Sequence, residues 1–280
     1  MKRTLVIILL LVLVLSLMVG CSSSQEKSED LKIVSTTPSV TEILFELGCG
    51  ENIVGLDVYS NYPDAALEIE KVGDFNGFDI EKVISLSPSI VFASSGLQND
   101  QVETLTNAGL NVEVLEPTYY EDIATSITLI GQFVGKESEA KDLNAKIKQV
   151  EEDVVSKAQT LENNPSIYYV MGIGDYGNWT SGEGSFINSV LTMAGGQCIT
   201  AGSKTEWIDY PVEDLIVADP DVLIVSEWVL EEDLLTDPGY KDLTAIKEGR
   251  YYYINPDIIE RPGPRISEAM IAVQGYLLGE

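Results

Sequence analysis

The sequence predicts an α/β protein made of two Rossmann-like lobes with mainly parallel sheets, joined by one long connector helix. Short apolar runs alternate with helical segments along most of the chain, which is the pattern of βαβ units. Residues 79–93, DIEKVISLSPSIVFA, recur 132 positions later as residues 211–225, PVEDLIVADPDVLIV. This recurrence indicates two copies of one structural unit, with chance similarity of two helix–turn–strand segments as the alternative. A long helical stretch lies between the copies and supplies the connector.

The first thirty residues are predicted to be a targeting segment and a tether. Basic residues 2–3 precede an apolar run at 5–19, which is short for a membrane span of about 20 residues. The MVGC sequence that follows resembles the box at which lipoprotein signal peptides are cut. We therefore expect residues 1–20 to be a signal peptide, Cys21 to be lipidated and residues 21–30 to be a flexible tether. An uncleaved signal anchor is the alternative.

Residues 31–136 are predicted to form the N-terminal lobe. Its first helix begins at Thr37-Pro38, carries apolar residues at helical spacing and ends at Gly48. Apolar runs of strand length stand at 33–36, 53–56, 90–94 and 112–115. Because helical segments separate these runs, we expect them to form a mainly parallel sheet.

The connector helix is the most regular part of the pattern. A helical periodicity runs from about 121 to 161, and its part from Glu137 onward contains no Gly or Pro before residue 162. We assign residues 137–162 to the connector, a rod of roughly 40 Å at 1.5 Å per residue. A coiled-coil arm is the alternative, but the apolar stripe spans fewer than four heptads.

Residues 163–280 are predicted to form the C-terminal lobe. Strand-like runs stand at 166–171, 222–226 and 250–254. A helix at 185–194 ends at Gly195-Gly196, much as the first helix of the chain ends at Gly48. This second repeated feature supports the interpretation that the chain contains two related halves.

Composition excludes several classes of function. The formal net charge is −28, and −30 once Lys2 and Arg3 leave with the signal peptide, so nucleic acid is not an expected partner. Histidine is absent, which excludes His-dependent catalytic triads and imidazole metal ligands. The GIGDYG sequence at 172–177 lacks the helix that a dinucleotide site needs directly after it. We therefore predict no enzyme activity, no metal and no cofactor, with Cys49 and Cys198 as small buried residues.

Aromatic residues stand where a cleft between the lobes is expected. Aligning the two copies places Phe75 opposite Trp207, each in the segment that leads into the repeated helix. Two such rings can hold a large flat or apolar ligand between the lobes. Tyr59, Trp179 and Trp228 follow predicted strands, and ligands of parallel sheets bind beyond the carboxyl ends of strands. The alternative for each ring is packing in the core of its own lobe.

Three charged residues also stand at positions that suit binding. Arg261 lies in the rigid ERPGPR sequence and is predicted to donate hydrogen bonds to a ligand, with a salt bridge to the terminal helix as the alternative. Glu81 and Glu213 occupy the same position of the two copies. A carboxylate in the first turn of a helix is favoured by the helix dipole alone. A symmetric pair of carboxylates also suits docking onto a two-fold partner that presents arginines.

Several longer motifs together resemble one family. They are STTPSVTEILFELG, GDFNGFDIEKVISLSPSIVFAS, NWTSGEGSFINSVLTMAGG, PVEDLIVADPDVLIVS and ERPGPRI. With the lipoprotein signal and the connector helix, they resemble the periplasmic binding proteins with a helical backbone (class III), over essentially all of residues 31–280. That family serves ABC importers of vitamin B12 and ferric siderophores, and its members that bind vitamin B12 are the most similar.

The resemblance implies roles for most of the residues singled out above. It implies a ligand held between the lobes, against Tyr59, Phe75, Trp179 and Trp207 and near Arg261. It also implies that Glu81 and Glu213 bind arginines of a membrane permease dimer, which works with ATPase subunits. The chain is then expected to be a monomer, anchored by lipid on the outer face of the cell membrane. Two positions depart from the family, because Phe75 replaces a tryptophan and Ser94 falls near another aromatic position.

The ligand expected from these observations is a corrinoid such as vitamin B12. Ferric catecholate complexes carry several negative charges, and this chain has few Arg or Lys to offer them. A corrinoid is large and edged mostly by amides, which suits a cleft rich in aromatic residues. A ferric siderophore is the alternative ligand, and so is heme, with Tyr119 or Tyr210 as a possible iron ligand.

Overall fold

The N-terminal lobe is built on a six-stranded sheet. The computed structural model describes residues 31–74, 76–94, 98–115, 117–161, 163–174 and 177–279. The strands are β1 (Ile33–Ser35), β2 (Ile53–Asp57), β3 (Lys71–Asp74), β4 (Gly77–Phe78), β5 (Ile90–Ala93) and β6 (Val112–Val114), and the helices are α1 (Pro38–Glu46), α2 (Ile80–Ser85), α3 (Asn99–Asn107) and α4 (Tyr120–Val134). The spatial order of the strands is β4-β3-β2-β1-β5-β6, and only the β3–β4 pair among these described strands is antiparallel.

The C-terminal lobe contains a four-stranded parallel sheet and a two-stranded antiparallel ribbon. The sheet consists of β7 (Ser166–Val170), β9 (Gln197–Cys198), β11 (Val222–Ser226) and β12 (Tyr251–Ile254), and the ribbon of β8 (Trp179–Ser181) and β10 (Trp207–Asp209). Its helices follow a long helix, α5 (Glu137–Ala158), and are α6 (Phe186–Met193), α7 (Val212–Ala218), α8 (Glu231–Thr236), α9 (Thr244–Lys247), α10 (Pro256–Ile259) and α11 (Ile266–Leu278).

The two lobes are wound in the same way. Four parallel strands of the first sheet follow the order β2-β1-β5-β6, and the four strands of the second follow β9-β7-β11-β12. In each lobe the first strand in the chain thus pairs with the second and the third, and the fourth extends the sheet. The predicted architecture of two α/β lobes with mainly parallel sheets is confirmed.

The repeated segment has the same conformation in both lobes. α2 leads into β5, and α7 leads into β11. Ser87 and Asp219 are the non-glycine residues with a positive φ among the described residues, at 51° and 39°. They are 132 positions apart, and each stands directly before a proline of the repeat, Pro88 or Pro220. Because non-glycine residues rarely adopt this conformation, the match strongly supports a common origin of the two copies.

The central strands owe their stability to burial on both faces. Every residue of β5 (IVFA) and of β11 (VLIVS) is buried. Continuous apolar runs of this kind are typical of parallel strands covered by helices on both sides. Full burial of one Val, Leu or Ile side chain contributes about 1.5 to 3 kcal/mol, so these short strands hold the centre of each lobe.

The predicted helical stretch from 121 to 161 is divided in two. α4 ends at Gly135, whose φ of 68° places it in the left-handed region, and α5 begins at Glu137. The start of α5 coincides with the predicted start of the connector at residue 137, because a glycine in this conformation ends an α-helix. α5 has 22 residues, which gives a length of about 33 Å.

The connector helix packs against both lobes. Its buried residues Ala140, Leu143, Ile147 and Val154 form the predicted apolar stripe. On one side α5 lies so close to α4 that a side chain added at Gly131 would meet the Cβ atom of Ala140. On the other side Gln274 of α11 donates a hydrogen bond of 2.6 Å to the carbonyl oxygen of Val154. The connector therefore packs against both lobes through its apolar stripe.

The remaining expectations about the chain divide into two groups. Cys49 and Cys198 are free and buried, as predicted. The signal peptide, the lipidation of Cys21 and the tether lie outside the described residues, so they stay predictions. Among the helices that the structure describes, none combines the length and the apolar character needed to cross a membrane.

Candidate functional site

A cavity of 340 Å³ lies between the two lobes, at the carboxyl ends of their strands. Thr36 follows β1 and Asp57 ends β2 in the N-terminal lobe, while Trp228 follows β11 and Asp257 follows β12 in the C-terminal lobe. The full lining is Thr36, Thr37, Pro38, Asp57, Tyr59, Trp228, Pro256, Asp257, Glu260 and Arg261. This is the position at which parallel α/β sheets bind ligands, and both lobes contribute to it.

A second cavity of 250 Å³ adjoins the first through Thr37, which lines both. The rest of its lining is Ser39, Ser94, Leu115, Pro117, Thr118, Glu206 and Pro262. Ser94, near which the family resemblance implies an aromatic position, is thus on the wall of this cavity. We refer to the two cavities together as the cleft.

Tyr59 and Trp228 lie where the sequence predicts them, on the wall of the first cavity. Tyr59 belongs to the N-terminal lobe and Trp228 to the C-terminal lobe, so one ring from each lobe borders the same space. Trp228 is 71% exposed. Such exposure of a tryptophan leaves a large apolar surface available for contact with a ligand.

Trp179 and Trp207 lie on the ribbon of β8 and β10. The sequence analysis placed Trp179 after a strand and Trp207 in the segment before the repeated helix, and it did not predict this ribbon. Trp179 pairs with Asp209 and Trp207 pairs with Ser181. Because paired residues and residues two apart share one face of a strand pair, both tryptophans are on the same face of the ribbon. Trp179 is 40% exposed and Trp207 is 38% exposed, so the ribbon carries a partly open aromatic surface.

Asn178 attaches this ribbon to the core of the C-terminal lobe. Its side-chain Nδ2 donates a hydrogen bond of 2.7 Å to the carbonyl oxygen of Tyr210, and its backbone N–H donates one of 2.8 Å to Oδ1 of Asp209. The buried Tyr240 hydroxyl donates to Oδ1 of Asn178. The positions of both ribbon tryptophans are therefore fixed by buried polar contacts, which the sequence analysis missed.

Phe75, the predicted partner of Trp207, lies outside the described residues. The predicted pair of rings facing each other across the cleft therefore stays a prediction. Its neighbours Asp74 and Asn76 are described, with the Asn76 backbone N–H donating a hydrogen bond of 2.8 Å to Oδ1 of Asp74.

Arg261 borders the cleft, but other side chains occupy most of its hydrogen-bond donors. Nη1 donates to Glu42 Oε1 at 3.0 Å and to Asn61 Oδ1 at 2.9 Å. Nη2 lies 2.5 Å from Asp257 Oδ1 and donates to the carbonyl oxygen of Tyr59 at 3.2 Å. A guanidinium has five N–H donors, so little donor capacity is left for a ligand. The role of Arg261 in ligand binding stays a prediction.

Glu42 joins the lobes through a buried ion cluster. Its carboxylate accepts from Arg261 of the C-terminal lobe and also from Arg265, at 2.6 Å for the shorter of the two Arg265 contacts. The Glu42 side chain is 2% exposed, and those of Arg261 and Arg265 are 13% and 12% exposed. We call these three residues the interlobe clasp. The sequence offered no signal for Glu42, because the partners are more than 200 positions away.

Two carboxyl groups of the cleft sit in surroundings that disfavour their charge. Burial raises the pKa of Asp57, although Ser60 donates to its side chain. Burial also raises the pKa of Glu260, despite the hydrogen bonds that it accepts from Tyr169 at 2.6 Å and from Ser226 at 3.1 Å. In both groups desolvation outweighs the favourable hydrogen bonds.

The cleft is therefore acidic or neutral and offers little positive charge. Its described lining includes four carboxyl groups, those of Asp57, Asp257, Glu260 and Glu206, and a single cationic group, that of Arg261. Arg261 is already paired with Glu42 and Asp257. An anionic ligand would meet no unpaired cation among these lining residues.

Glu81 and Glu213 are exposed in the first turns of α2 and α7. Neither carboxylate makes a hydrogen bond or an ion pair with a described residue. Lys82, next to Glu81 in sequence, pairs instead with Glu70 and donates to the carbonyl oxygen of Lys71 at 2.7 Å. The negative charge of Glu81 is thus left available to a partner.

A larger cavity, of 720 Å³, lies between α4, α5 and α6. It contains Tyr119, one of the two tyrosines suggested as an iron ligand for heme, and none of the residues predicted to bind a corrinoid or the permease. Most of its lining comes from these three helices. Tyr210, the other suggested iron ligand, packs against Tyr168 with ring centroids 5.7 Å apart. Neither tyrosine lines the cleft.

Comparison with known proteins agrees with this architecture. A family model described as periplasmic binding protein matches residues 33–258. An uncharacterized ABC transporter substrate-binding lipoprotein of Bacillus subtilis is 31% identical over 249 residues, which cover 87% of this chain and 79% of the relative. The vitamin B12-binding protein of Photorhabdus laumondii is 25% identical over 237 residues, covering 84% of each chain.

A solved structure extends the comparison to the fold. The periplasmic heme-binding protein from Roseiflexus, in its apo form, superposes with a TM-score of 0.80 at 24% identity, covering 89% of this chain and 98% of that one. At this level of identity the likeness concerns the fold alone. Proteins with this fold thus include binders of chemically different ligands, so the ligand has to be argued from the cleft.

Proposed function

Because the chain belongs to the periplasmic binding protein family, we propose that it captures a corrinoid between its lobes and delivers it to a membrane permease. It is a substrate-binding protein of an ABC importer, and its relatives are solute-binding proteins and not enzymes. Such proteins work with a permease and an ATPase. The family takes ligands, and no cofactor is indicated.

The charge of the cleft is the main observation that favours a corrinoid as the ligand. The lining presents several carboxyl groups and one arginine that is already paired. A multiply anionic ferric catecholate would leave water for a site without a free cation, which is costly. The carboxylates of heme would meet the same obstacle. The edge of a corrinoid carries mostly neutral amides, whose N–H groups can donate to the carboxyl oxygens of Asp57, Asp257 or Glu260.

The aromatic surfaces support the same choice. Tyr59 and Trp228 border the cleft from opposite lobes, and Trp179 and Trp207 share one face of the ribbon. A corrinoid is a large ring system with apolar faces, so several aromatic contacts can each contribute to its affinity. Phe75 is included in this proposal on the sequence alignment of the two copies.

The test is a titration of the soluble domain, starting at Ser22, with cobalamin, a ferric catecholate siderophore and heme in parallel. Heat and intrinsic tryptophan fluorescence would be followed. We expect submicromolar binding of one cobalamin and no comparable binding of the siderophore. Trp207→Ala should weaken cobalamin binding by more than about 1 kcal/mol, the loss typical of an interface hot spot.

Binding of either of the other two ligands would contradict the corrinoid proposal. Binding of the siderophore alone would refute the inference from the scarce positive charge while leaving the importer function intact. Binding of heme would be examined with Tyr59→Phe, because Tyr59 is the tyrosine that lines the described cleft. Loss of heme binding in that variant would assign Tyr59 as an iron ligand and overturn the corrinoid proposal.

Docking and anchoring complete the proposal. The exposed Glu81 and Glu213, one on each lobe, support salt bridges to arginines of a two-fold permease. The family and the name of the Bacillus relative support an extracytoplasmic location, and the MVGC sequence supports a lipid anchor at Cys21. Cys21→Ser should release the protein from the membrane fraction. Retention of that variant in membranes would argue against lipidation.

A further inference from the structure

Each lobe exposes an isoleucine beside its proposed docking glutamate. Ile84 follows Glu81 by three residues on α2, and Ile216 follows Glu213 by three residues on α7. Residues three apart lie on the same face of a helix. Ile84 is 42% exposed and Ile216 is 49% exposed. The same combination of a carboxylate and an exposed isoleucine thus occurs twice, at positions 132 residues apart, and we call these the acid–isoleucine pairs.

The exposure of these isoleucines is not explained by the packing of the helices. The inward face of each helix is filled by another residue at matching positions, Val83 in α2 and Leu215 in α7, and both are completely buried. The C-terminal lobe adds Val217, which is 86% exposed. Two short helices therefore satisfy their own cores and still present apolar surface to the outside.

The topology places the glutamate of each pair at the end of its helix that is nearer the cleft. α2 ends at Ser85 and β5 begins at Ile90, so the end of α2 lies near the amino end of its strand. The first turn of α2 therefore points toward the carboxyl edge, where the cleft is. α7 and β11 have the same relation, with Ala218 and Val222 as the adjoining ends. A partner that covers both acid–isoleucine pairs would span the mouth of the cleft.

From these observations we infer that Ile84 and Ile216, with Val217, are apolar contacts of the permease, adjacent to the salt bridges of Glu81 and Glu213. This inference rests on the proposed function. The partner that fits is a two-fold dimer presenting, at two equivalent places, a cationic side chain next to an apolar depression. Burial of the isoleucines would exclude water from the neighbouring salt bridges, which strengthens them.

Charge argues against a second copy of this chain as the occupant. Two copies meeting through this face would bring carboxylates against carboxylates, and the whole chain carries a formal net charge of −28. Like charges in an interface are strongly unfavourable. A cationic partner gains from the same charges, and the internal repeat calls for a partner with two equivalent binding places.

The test measures binding of two double variants and one single variant to the permease–ATPase complex of the source organism in lipid nanodiscs. Ile84→Ser with Ile216→Ser should weaken binding roughly tenfold and should keep the salt dependence of the wild-type protein. Glu81→Ala with Glu213→Ala should weaken binding and remove most of that salt dependence. Ile271→Ser is the matched control, since Ile271 is an isoleucine of α11 that is 55% exposed, and it should bind like the wild type.

Cobalamin titration and thermal unfolding of each variant show that the fold and the ligand site are intact. If the isoleucine variant binds the permease like the wild type while the glutamate variant does not, the inference is wrong and the proposed docking remains. If neither variant changes binding, this face is not the docking surface. If the wild-type protein binds neither cobalamin nor the permease, the proposed function itself fails, and the inference with it.

Discussion

Glu260 is a single residue whose environment makes its charge costly. Its folded-state pKa is raised above the ordinary value of 4.5 by burial. A carboxyl group with a raised folded pKa contributes stability below its unfolded pKa, and that contribution is lost as the pH rises through the folded pKa. Glu260 therefore reduces the stability of the protein at neutral pH relative to mildly acidic pH.

Glu260→Gln should remove this penalty. The glutamine oxygen can still accept the hydrogen bonds of Tyr169 and Ser226. We expect the variant to have a higher melting temperature than the wild type near pH 7.5, with the difference shrinking as the pH falls toward 4.5. Thermal unfolding at a series of pH values would show this, with Glu103→Gln on the exposed face of α3 as the control. A difference that does not change with pH would contradict the raised pKa.

Single residues were also where sequence reasoning was least complete. The sequence placed Arg261 next to a ligand, and the structure places it at the cleft with most of its donors engaged by Glu42, Asn61 and Asp257. The buried Asn178 and Glu42 were missed altogether. Their roles depend on partners distant in sequence, and no local periodicity or spacing carries that information.

At the scale of elements, the turn between the repeated helix and its strand has the same backbone conformation in both lobes, but its side-chain contacts differ. Ser87 and Asp219 both have positive φ, but only Asp219 uses its side chain to hold the next segment. Its Oδ1 accepts from the Thr244 backbone at 2.8 Å and its Oδ2 from the Thr244 hydroxyl at 2.6 Å. The same substitution should therefore have opposite effects in the two lobes.

Ser87→Gly should stabilise the protein by about 0.5 to 1 kcal/mol, because relief of left-handed strain exceeds the added entropy of the unfolded chain. Asp219→Gly should instead destabilise it by about 1 kcal/mol, because two hydrogen bonds to Thr244 are lost. Chemical denaturation of both variants under identical conditions provides the comparison. Equal effects in the two lobes would mean that the Asp219 contacts contribute nothing measurable.

Elements with a strong hydrophobic pattern were predicted well, and short ones were not. The apolar runs at 90–94 and 222–226 correspond to β5 and β11 within one residue. β8 and β10 have three residues each, too few for a period of two to be recognised.

For the whole molecule, the internal repeat predicted the two lobes and the helical periodicity predicted the connector, whereas no sequence pattern predicted the interlobe clasp. The clasp adds a buried ionic link to the packing of α5 on both lobes. The lobes are also linked by a backbone hydrogen bond of 3.0 Å, which the Phe186 N–H donates to the carbonyl oxygen of Thr118. Several rigid links of this kind favour a small change in cleft opening when a ligand binds.

Glu42→Gln should reveal the strength of the clasp. Removing one partner of a buried ion pair leaves buried charge without compensation and costs about 3 kcal/mol or more. Glu248→Gln is the control, since Glu248 pairs with Arg250 at 2.9 Å on the surface and its loss should cost less than about 1 kcal/mol. Both values would come from denaturant unfolding. Comparable losses of unfolding free energy in the two variants would show that the clasp stabilises the protein no more than a surface ion pair does.

The clasp also bears on the order in which the chain acquires its structure. Glu42 and Arg265 are separated by 223 residues. During synthesis from the N-terminus, the carboxylate of Glu42 is made long before either of its arginine partners. The ion cluster between the lobes can therefore form only when nearly the whole chain is present, which makes it one of the last contacts of the fold to be completed.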